Sequence, residues 1–432
     1  MAFAIDRKGR EDRPGKVVFV ESAAAMGGVQ FSTLYLAQRL NRELWNPIVV
    51  CPEDGDLIQA CRNAGVETQV LEQPGLRSTS VRVGRTLRLP NPAAWLWNGF
   101  RVRAAVRKLK RFLAESRPEL VVTKGLSSHF VGGMAARKLG IPCVWHVQDF
   151  ISERTFGIYR RAFGRVARWL PKQIIVDGAT IAEQLPRSLQ SRITVIHNGV
   201  DTSIFRPGLD GNAVRRELGI PPDHLVVGHL GRITPWKGQR YLIEAFAAIA
   251  SKYPKVSLLF VGAPVFDNDA YQRRLLSMVS RRGLNEQVRF AGYRHDTANV
   301  LAAMDVFAFT SIEKDTSPLA LLSAMSCGLP IVAFDIAGVR ELMASEHQFQ
   351  LVPVEDIRAL SNALETILSD QDLRNRLGAS ARKQATTEFD LDKYTARIEQ
   401  VFREALQSGP LSAPKRTAPE VQKPAAELRD CA

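Results

Sequence analysis

Leu225-Val226-Val227-Gly228-His229-Leu230 is followed directly by Gly231-Arg232-Ile233-Thr234-Pro235-Trp236-Lys237-Gly238, and apolar residues then recur at helical spacing from Gln239 to Lys252. The apolar run predicts a buried strand, the glycine-framed octet a loop, and the remainder a helix. In a doubly wound α/β sheet such a loop lies beyond the carboxyl end of its strand, where ligands bind. Glycines let the backbone approach an anion closely. Arg232 and Lys237, five residues apart, could neutralise a diphosphate. By spacing alone, an ordinary turn with two solvated cations explains the octet as well.

The alternation continues on both sides. Downstream, strands are expected at Val256–Val261, Val288–Ala291, Val306–Phe309 and Ile331–Phe334. Helices are expected at Ala270–Arg282, Ser317–Cys327, Ile357–Leu368, Leu373–Glu388 and Leu391–Leu406. Upstream, Lys16–Glu21, Pro47–Cys51, Glu67–Leu71, Pro118–Thr123, Pro142–Val147 and Gln173–Val176 read as strands, with helices between them. Residues 72–100, rich in Pro, Gly and basic residues, read as irregular, with a helix from Arg101 to Ser116. Two doubly wound parallel-sheet domains, over residues 16–205 and 212–390, are the expected architecture. A helix over 391–407 follows and is expected to pack back on the first domain. Residues 1–15 and 408–432 read as disordered.

Composition narrows the function. Residues 1–200 hold 30 Lys/Arg against 16 Asp/Glu, whereas the remainder is balanced at 28 against 28, so the whole surplus lies in the first half. Mixed with Trp95, Trp97 and Phe100, that surplus points to an anionic membrane surface, or else to a merely solvated basic face. Five cysteines, an odd number without a CxxC pair, fit reduced thiols and argue against a zinc site. Met1–Arg13 lacks an apolar core, and Pro318–Phe334 is broken by Ser323, Ser326, Gly328 and Pro330. Neither a signal peptide nor a transmembrane span is therefore expected. The expected location is the cytoplasm, peripheral on the inner face of the membrane.

A second informative run is Asp315-Thr316-Ser317-Pro318-Leu319-Ala320-Leu321-Leu322-Ser323-Ala324-Met325. Ser317 reads as an N-cap and Pro318 as the first helical residue, which places a helix N-terminus here as an anion site. Asp315 stands just before it, able to accept hydrogen bonds from sugar hydroxyls. A plain capped helix explains Ser317 and Pro318 but not the whole run.

Four pieces in order resemble glycosyltransferase family 4, the retaining GT-B enzymes. They are Val195-Ile196-His197-Asn198-Gly199-Val200-Asp201 with Phe205-Arg206-Pro207; Gly231-Arg232 with Lys237-Gly238; Ala303-Met304-Asp305-Val306-Phe307 with Ser311; and Ala324–Ala333 with Ala337-Gly338 and Glu341. The resemblance covers roughly residues 16–407, more strongly in the second half. It implies two Rossmann-like domains facing a cleft and a nucleotide-diphosphate sugar as donor. It implies Arg232 and Lys237 on the donor diphosphate, with Gly231 beside them, and Asp315 as the first carboxylate of the family's Glu-x7-Glu motif. Ser317 and Leu319 would open the helix whose N–H groups meet the phosphates, and Gly27 and Gly28 would match the N-terminal glycine pair. His146 matches a cleft histidine or its neighbour, although a packed histidine at a strand end reads equally well.

The second carboxylate of that motif is replaced by Ser323, which cannot bridge two ribose hydroxyls as a charged acceptor does. Lys314 stands beside Asp315, where an acidic residue is usual. The implied reaction is retaining transfer to a lipid-linked or other surface-glycan precursor. No metal or other cofactor is expected, because cations and a helix dipole take the part of Mg²⁺. The alternative is a catalytically impaired GT-B protein that binds a sugar nucleotide or a partner. A nicotinamide oxidoreductase lacks its GxGxxG after Lys16–Glu21, and no nucleic-acid-binding signature accompanies the basic half.

Overall fold

The computed structural model describes residues 13–72, 80–83, 87–151, 158–264, 269–313, 315–345 and 348–407. The expectations for residues 1–12, for the 408–432 tail, for Lys314 and for the Trp95 side chain lie outside what is described. In chain order the first lobe contains β1 (Gly15–Glu21), β2 (Trp45–Cys51), β3 (Glu67–Val70), an antiparallel ribbon of β4 (Ser80–Val83) and β5 (Leu87–Pro90), then β6 (Leu120–Lys124), β7 (Cys143–Val147), β8 (Gln173–Val176) and β9 (Ile193–Val195). Apart from the ribbon these strands form one parallel sheet in the order β3-β2-β1-β6-β7-β8-β9. The second lobe contains β10 (Leu225–Leu230), β11 (Val256–Val261), β12 (Val288–Phe290), β13 (Val306–Phe309), β14 (Ile331–Phe334) and β15 (Gln350–Val352), in the order β12-β11-β10-β13-β14-β15. Strand order reverses between β1 and β6 and between β10 and β13, which sets a ligand crevice at the carboxyl ends of each pair.

Both sheets are covered on both faces, which is why their strands are apolar throughout rather than alternating. Val18 and Val20 pack with Leu109 and Leu113 on one side of β1, while Val17 and Phe19 pack with Leu36 and Phe402 on the other. Phe402 belongs to the last helix, Leu391–Gln407, which crosses from the second lobe to close the first. Its Ile398, Val401 and Phe402 are at most 2% exposed, and the Phe402 ring meets Trp45 edge-on at 5.7 Å. Each such burial is worth about 1.5–3 kcal/mol, enough to make this helix part of the first lobe's core. The two chain crossings between lobes lie side by side. Val200 N–H donates to the Phe389 carbonyl (2.8 Å), and Leu391 N–H donates to the Val200 carbonyl (3.0 Å).

Two local expectations need correction. Part of the segment taken as irregular is the β4–β5 ribbon, and the helix expected from Arg101 begins at Pro92 and runs to Ser116. Asn91 caps it by accepting the Ala94 N–H at 3.1 Å, with proline in the first turn. The edge strands β9 and β15, three residues each, were not expected. No helix among the described residues is long and apolar enough to cross a membrane.

Candidate active site

The loop after β10 is fixed to the end of β13. Gly238 adopts φ +70°, and a Cβ there would lie 1.9 Å from the Thr310 carbonyl oxygen, so a side chain at 238 would drive the two loops apart. Thr310 Oγ1 donates to the Lys237 carbonyl (3.0 Å), and Ile312 N–H donates to the Trp236 carbonyl (2.9 Å). These contacts bring Lys237 to Asp315. The ammonium and the carboxylate form an ion pair with side chains 11% and 16% exposed, and Ser311 Oγ donates to the same carboxylate oxygen at 3.1 Å. Lys237 Nζ also stands 4.4 Å from the centre of the Trp236 ring, and the Arg232 guanidinium stands 5.3 Å from that ring. Beneath the loop, burial holds His229 neutral, its pKa lowered to about 4 despite the hydrogen bond from its Nδ1 to the Ala308 carbonyl at 3.0 Å.

Ser317 does not cap the following helix. The helix runs Leu319–Ser326 with no side-chain cap, and Ser317 sits at φ +46°, a left-handed backbone that costs a serine about 1–2 kcal/mol. Its hydroxyl instead accepts the N–H of Asn198 at 2.6 Å, and its carbonyl accepts Asn198 Nδ2 at 2.9 Å. A side chain that sequence logic assigned to its own helix thus reaches the interdomain crossing. The first N–H groups with intrahelical partners are those of Leu321 and Leu322, both donating to the Pro318 carbonyl. The N–H groups of Leu319 and Ala320 therefore precede the helical ladder, as at any helix start. Ser323 lies on the buried side of this helix, 7% exposed. Gly338, in the short helix Ala337–Arg340 after β14, presses on Asp315 so closely that a Cβ would stand 2.0 Å from its carbonyl oxygen.

On the other lobe, Gly27 and Gly28 open the helix Gly28–Arg39 beyond the carboxyl end of β1, and Gly28 faces open space. His146 is enclosed completely and does not line the cleft. Its Nε2–H donates to Asp177 (2.9 Å), and its Nδ1 has no partner among the described residues. Burial, reinforced by the nearby Lys124 ammonium, lowers its pKa and keeps it neutral even though Asp177 pulls the other way. Gln148, two residues on, reaches the crossing between the lobes, donating to Asn198 Oδ1 at 3.2 Å. Asp149 is exposed and lies close enough to Arg232 of the opposite lobe for the two charges to attract.

Glu341, from the second lobe, spans the same seam. Its carboxylate accepts the N–H groups of Ala179 (2.7 Å) and Thr180 (3.1 Å) and the Thr180 hydroxyl (2.6 Å). A cavity of about 530 Å³ opens beside this contact, lined by Phe150 and Thr180 of one lobe and Ile312, Glu313 and Gly338 of the other. Sequence reasoning gave no role to Asp177 or Glu341. Asp177 lies in no recognised motif, and the motif glutamate shows its use only once the lobes are docked.

Two doubly wound lobes with a basic loop, an acidic residue and a helix start gathered at their seam define the GT-B class. Residues 26–204 match the family model described as glycosyltransferase family 4, and residues 210–384 match the one described as glycosyl transferases group 1. The chain belongs to these glycosyltransferases. A D-inositol 3-phosphate glycosyltransferase of Stackebrandtia nassauensis is 34% identical over 213 residues, 48% of each chain. The UDP-Gal:α-D-GlcNAc-diphosphoundecaprenol α-1,3-galactosyltransferase of Escherichia coli is 29% identical over 308 residues, 68% of this chain and 77% of that one. Several of the inositol-phosphate relatives are matched over only about half their length. The crystal structure of Anabaena HepE in complex with UDP shares the fold with a TM-score of 0.76 at 24% identity, covering 90% of this chain and all of that one. Sucrose-phosphate synthase from Thermosynechococcus elongatus shares it at 0.71 and 20% identity, covering 90% and 98%.

Proposed function

We propose that this chain transfers a sugar from a nucleotide-diphosphate donor to a glycan or lipid-linked acceptor with retention of anomeric configuration. The observation that carries this reading is the meeting of Lys237 with Asp315 where the loops after β10 and β13 join, four residues before the helix Leu319–Ser326. When a donor binds, Lys237 exchanges its carboxylate partner for a phosphate oxygen. Asp315 is thereby released to accept sugar hydroxyls. As the bond from the anomeric carbon to the diphosphate oxygen breaks, negative charge grows on the leaving group. Arg232, Lys237 and the N–H groups of Leu319 and Ala320 stabilise that charge. The acceptor oxygen attacks from the face the diphosphate leaves, and its proton passes to a phosphate oxygen. These cations take the place of a metal in the proposal.

The name of the Escherichia coli relative pairs a UDP-linked sugar with a diphosphoundecaprenol-linked acceptor, which supports donor and acceptor of those classes here. An acceptor on a lipid requires the enzyme at a bilayer surface. The exposed Leu96, Trp97 and Phe100, next to Arg101 and Arg103 on one helix, support docking to an anionic membrane on its cytoplasmic face.

The test is turnover of UDP-, GDP- and ADP-linked sugars by the purified chain, with the product anomer read by NMR. Lys237→Ala and Arg232→Ala are each expected to lower turnover ~100- to 1,000-fold without change in circular dichroism, and a chelator is expected to leave the parent rate intact. Parent-like rates in both variants would refute the site. Ser323 favours a second reading, a GT-B protein with lost catalysis. Nucleotide binding without turnover of any donor selects that one.

A further inference from the structure

Asp177 follows β8 at its carboxyl end and is 1% exposed, yet no step of the proposed reaction uses it. Three side-chain N–H donors converge on its carboxylate: His146 Nε2 at 2.9 Å on one oxygen, and Gln148 Nε2 at 2.8 Å and Asn198 Nδ2 at 3.1 Å on the other. The neutral, fully enclosed His146 supports the carboxylate from below. The other two donors lead outward. Gln148, half-buried at the seam, also donates to Ser32 Oγ (3.3 Å) and to Asn198 Oδ1 (3.2 Å). Asn198, 5% exposed in the crossing between lobes, holds Ser317 by both its backbone N–H and its side-chain amide. Ser317 stands two residues from Asp315, in the left-handed backbone that serine rarely adopts.

We propose that Asp177 is a positioning residue that registers the two lobes, orienting Asn198 so that its grip on Ser317 sets the loop carrying Asp315 opposite Gln148 and the acceptor lobe. The proposal rests on the transferase reading for its effect on rate, but the tether itself does not. Without the carboxylate, the Asn198 amide loses its charged anchor and keeps only the longer bond from Gln148 Nε2 to its Oδ1. The left-handed backbone at Ser317 then loses one of its two bonds to Asn198, the one to its carbonyl, and keeps only the backbone N–H bond to its hydroxyl. The donor phosphates still meet Arg232 and Lys237, because that part of the site lies wholly in the second lobe. Donor binding and transfer are therefore separable in this arrangement.

Two variants test it in the full chain. Asp177→Asn keeps the shape and removes the charge that accepts three donors. Ser317→Gly removes the hydroxyl and fits the left-handed backbone, so it folds even if the first variant does not. In each, hydrogen exchange is expected to rise at least tenfold in the peptides carrying Asn198 and residues 315–318, with the strands of both sheets unchanged. kcat is expected to fall at least tenfold while nucleotide affinity, measured with UDP by calorimetry, stays within threefold. The double variant is expected to lose little more than either single one, because both act through Asn198. If the parent turns over no donor, the transferase reading fails, and the exchange measurement alone still decides the tether. Exchange at the crossing equal to that of the parent in both variants overturns the proposal. So does a uniform rise across the sheets with kcat per folded molecule retained.

Discussion

Lys237 and Asp315 illustrate how one residue is held ready for a ligand it has not yet met. Both side chains are mostly buried, and each neutralises the other. Removing one partner of such a pair typically costs about 3–5 kcal/mol, so Asp315 supports the loop as well as any sugar it contacts. Ser323, one helix turn beyond Leu319, has the opposite character: small, neutral and buried where the family places a second carboxylate. If the ribose lies beside it, Ser323→Glu is expected to tighten UDP binding. A charge-assisted hydrogen bond is worth about 1.5–3 kcal/mol, which corresponds to roughly 10- to 150-fold in Kd. An unchanged Kd by calorimetry would place the ribose elsewhere. The placement of Arg232, Lys237 and Asp315 on strand-end loops was legible in the sequence because strand and loop boundaries are local properties. The true role of Ser317 was not, since its partner is 119 residues away in sequence.

The helix Pro92–Ser116 shows the same division within one element. Its second half announces itself: Val106, Leu109 and Leu113 fall on one stripe and are buried. Its first turns leave Leu96 71%, Trp97 42% and Phe100 65% exposed, so no inward-facing period marks them in the sequence. The Asn91–Pro92 cap was the available signal. Arg101 lies over the Trp97 ring at 5.1 Å, which joins a cation to the apolar surface at one spot. Anionic phosphatidylglycerol vesicles are expected to retain the chain at low salt and release it at high salt, because screening acts over about 10 Å at 0.1 M. Leu96→Ser with Phe100→Ser is expected to lower retention at every salt concentration. Retention indifferent to lipid charge and to both substitutions would remove this helix from the membrane reading.

Across the whole molecule, buried histidines tie stability to pH. Burial, with a smaller push from His146, lowers His129 to about 3, and burial lowers His229 to about 4, against an ordinary value of 6.5. Above that value both are neutral whether folded or unfolded, and their contribution is fully present. As pH falls below it the unfolded chain takes up protons that the folded chain refuses, so stability is lost down towards the folded values. Glu21 works in the opposite direction, since burial raises its carboxyl to about 7 beside Lys124. Thermal unfolding followed from pH 7 to pH 5 is expected to show a falling midpoint, and His229→Gln is expected to make the fall shallower. An identical pH dependence in the variant would show that this imidazole is not held neutral.

The chain's own order of apolar runs, glycines and charges determined two parallel α/β lobes and the basic loop after β10, because periodicity and strand-end loops are local properties. Tertiary structure decided the rest. Packing within the first lobe buried His146 against Asp177, while docking turned Ser317 from its own helix towards Asn198 and set Glu341 on the first turn at Ala179 and Thr180. These partners come from segments far apart in sequence. Their pairing depends on which buried donors and acceptors must satisfy one another once those segments meet, and no local pattern records that requirement.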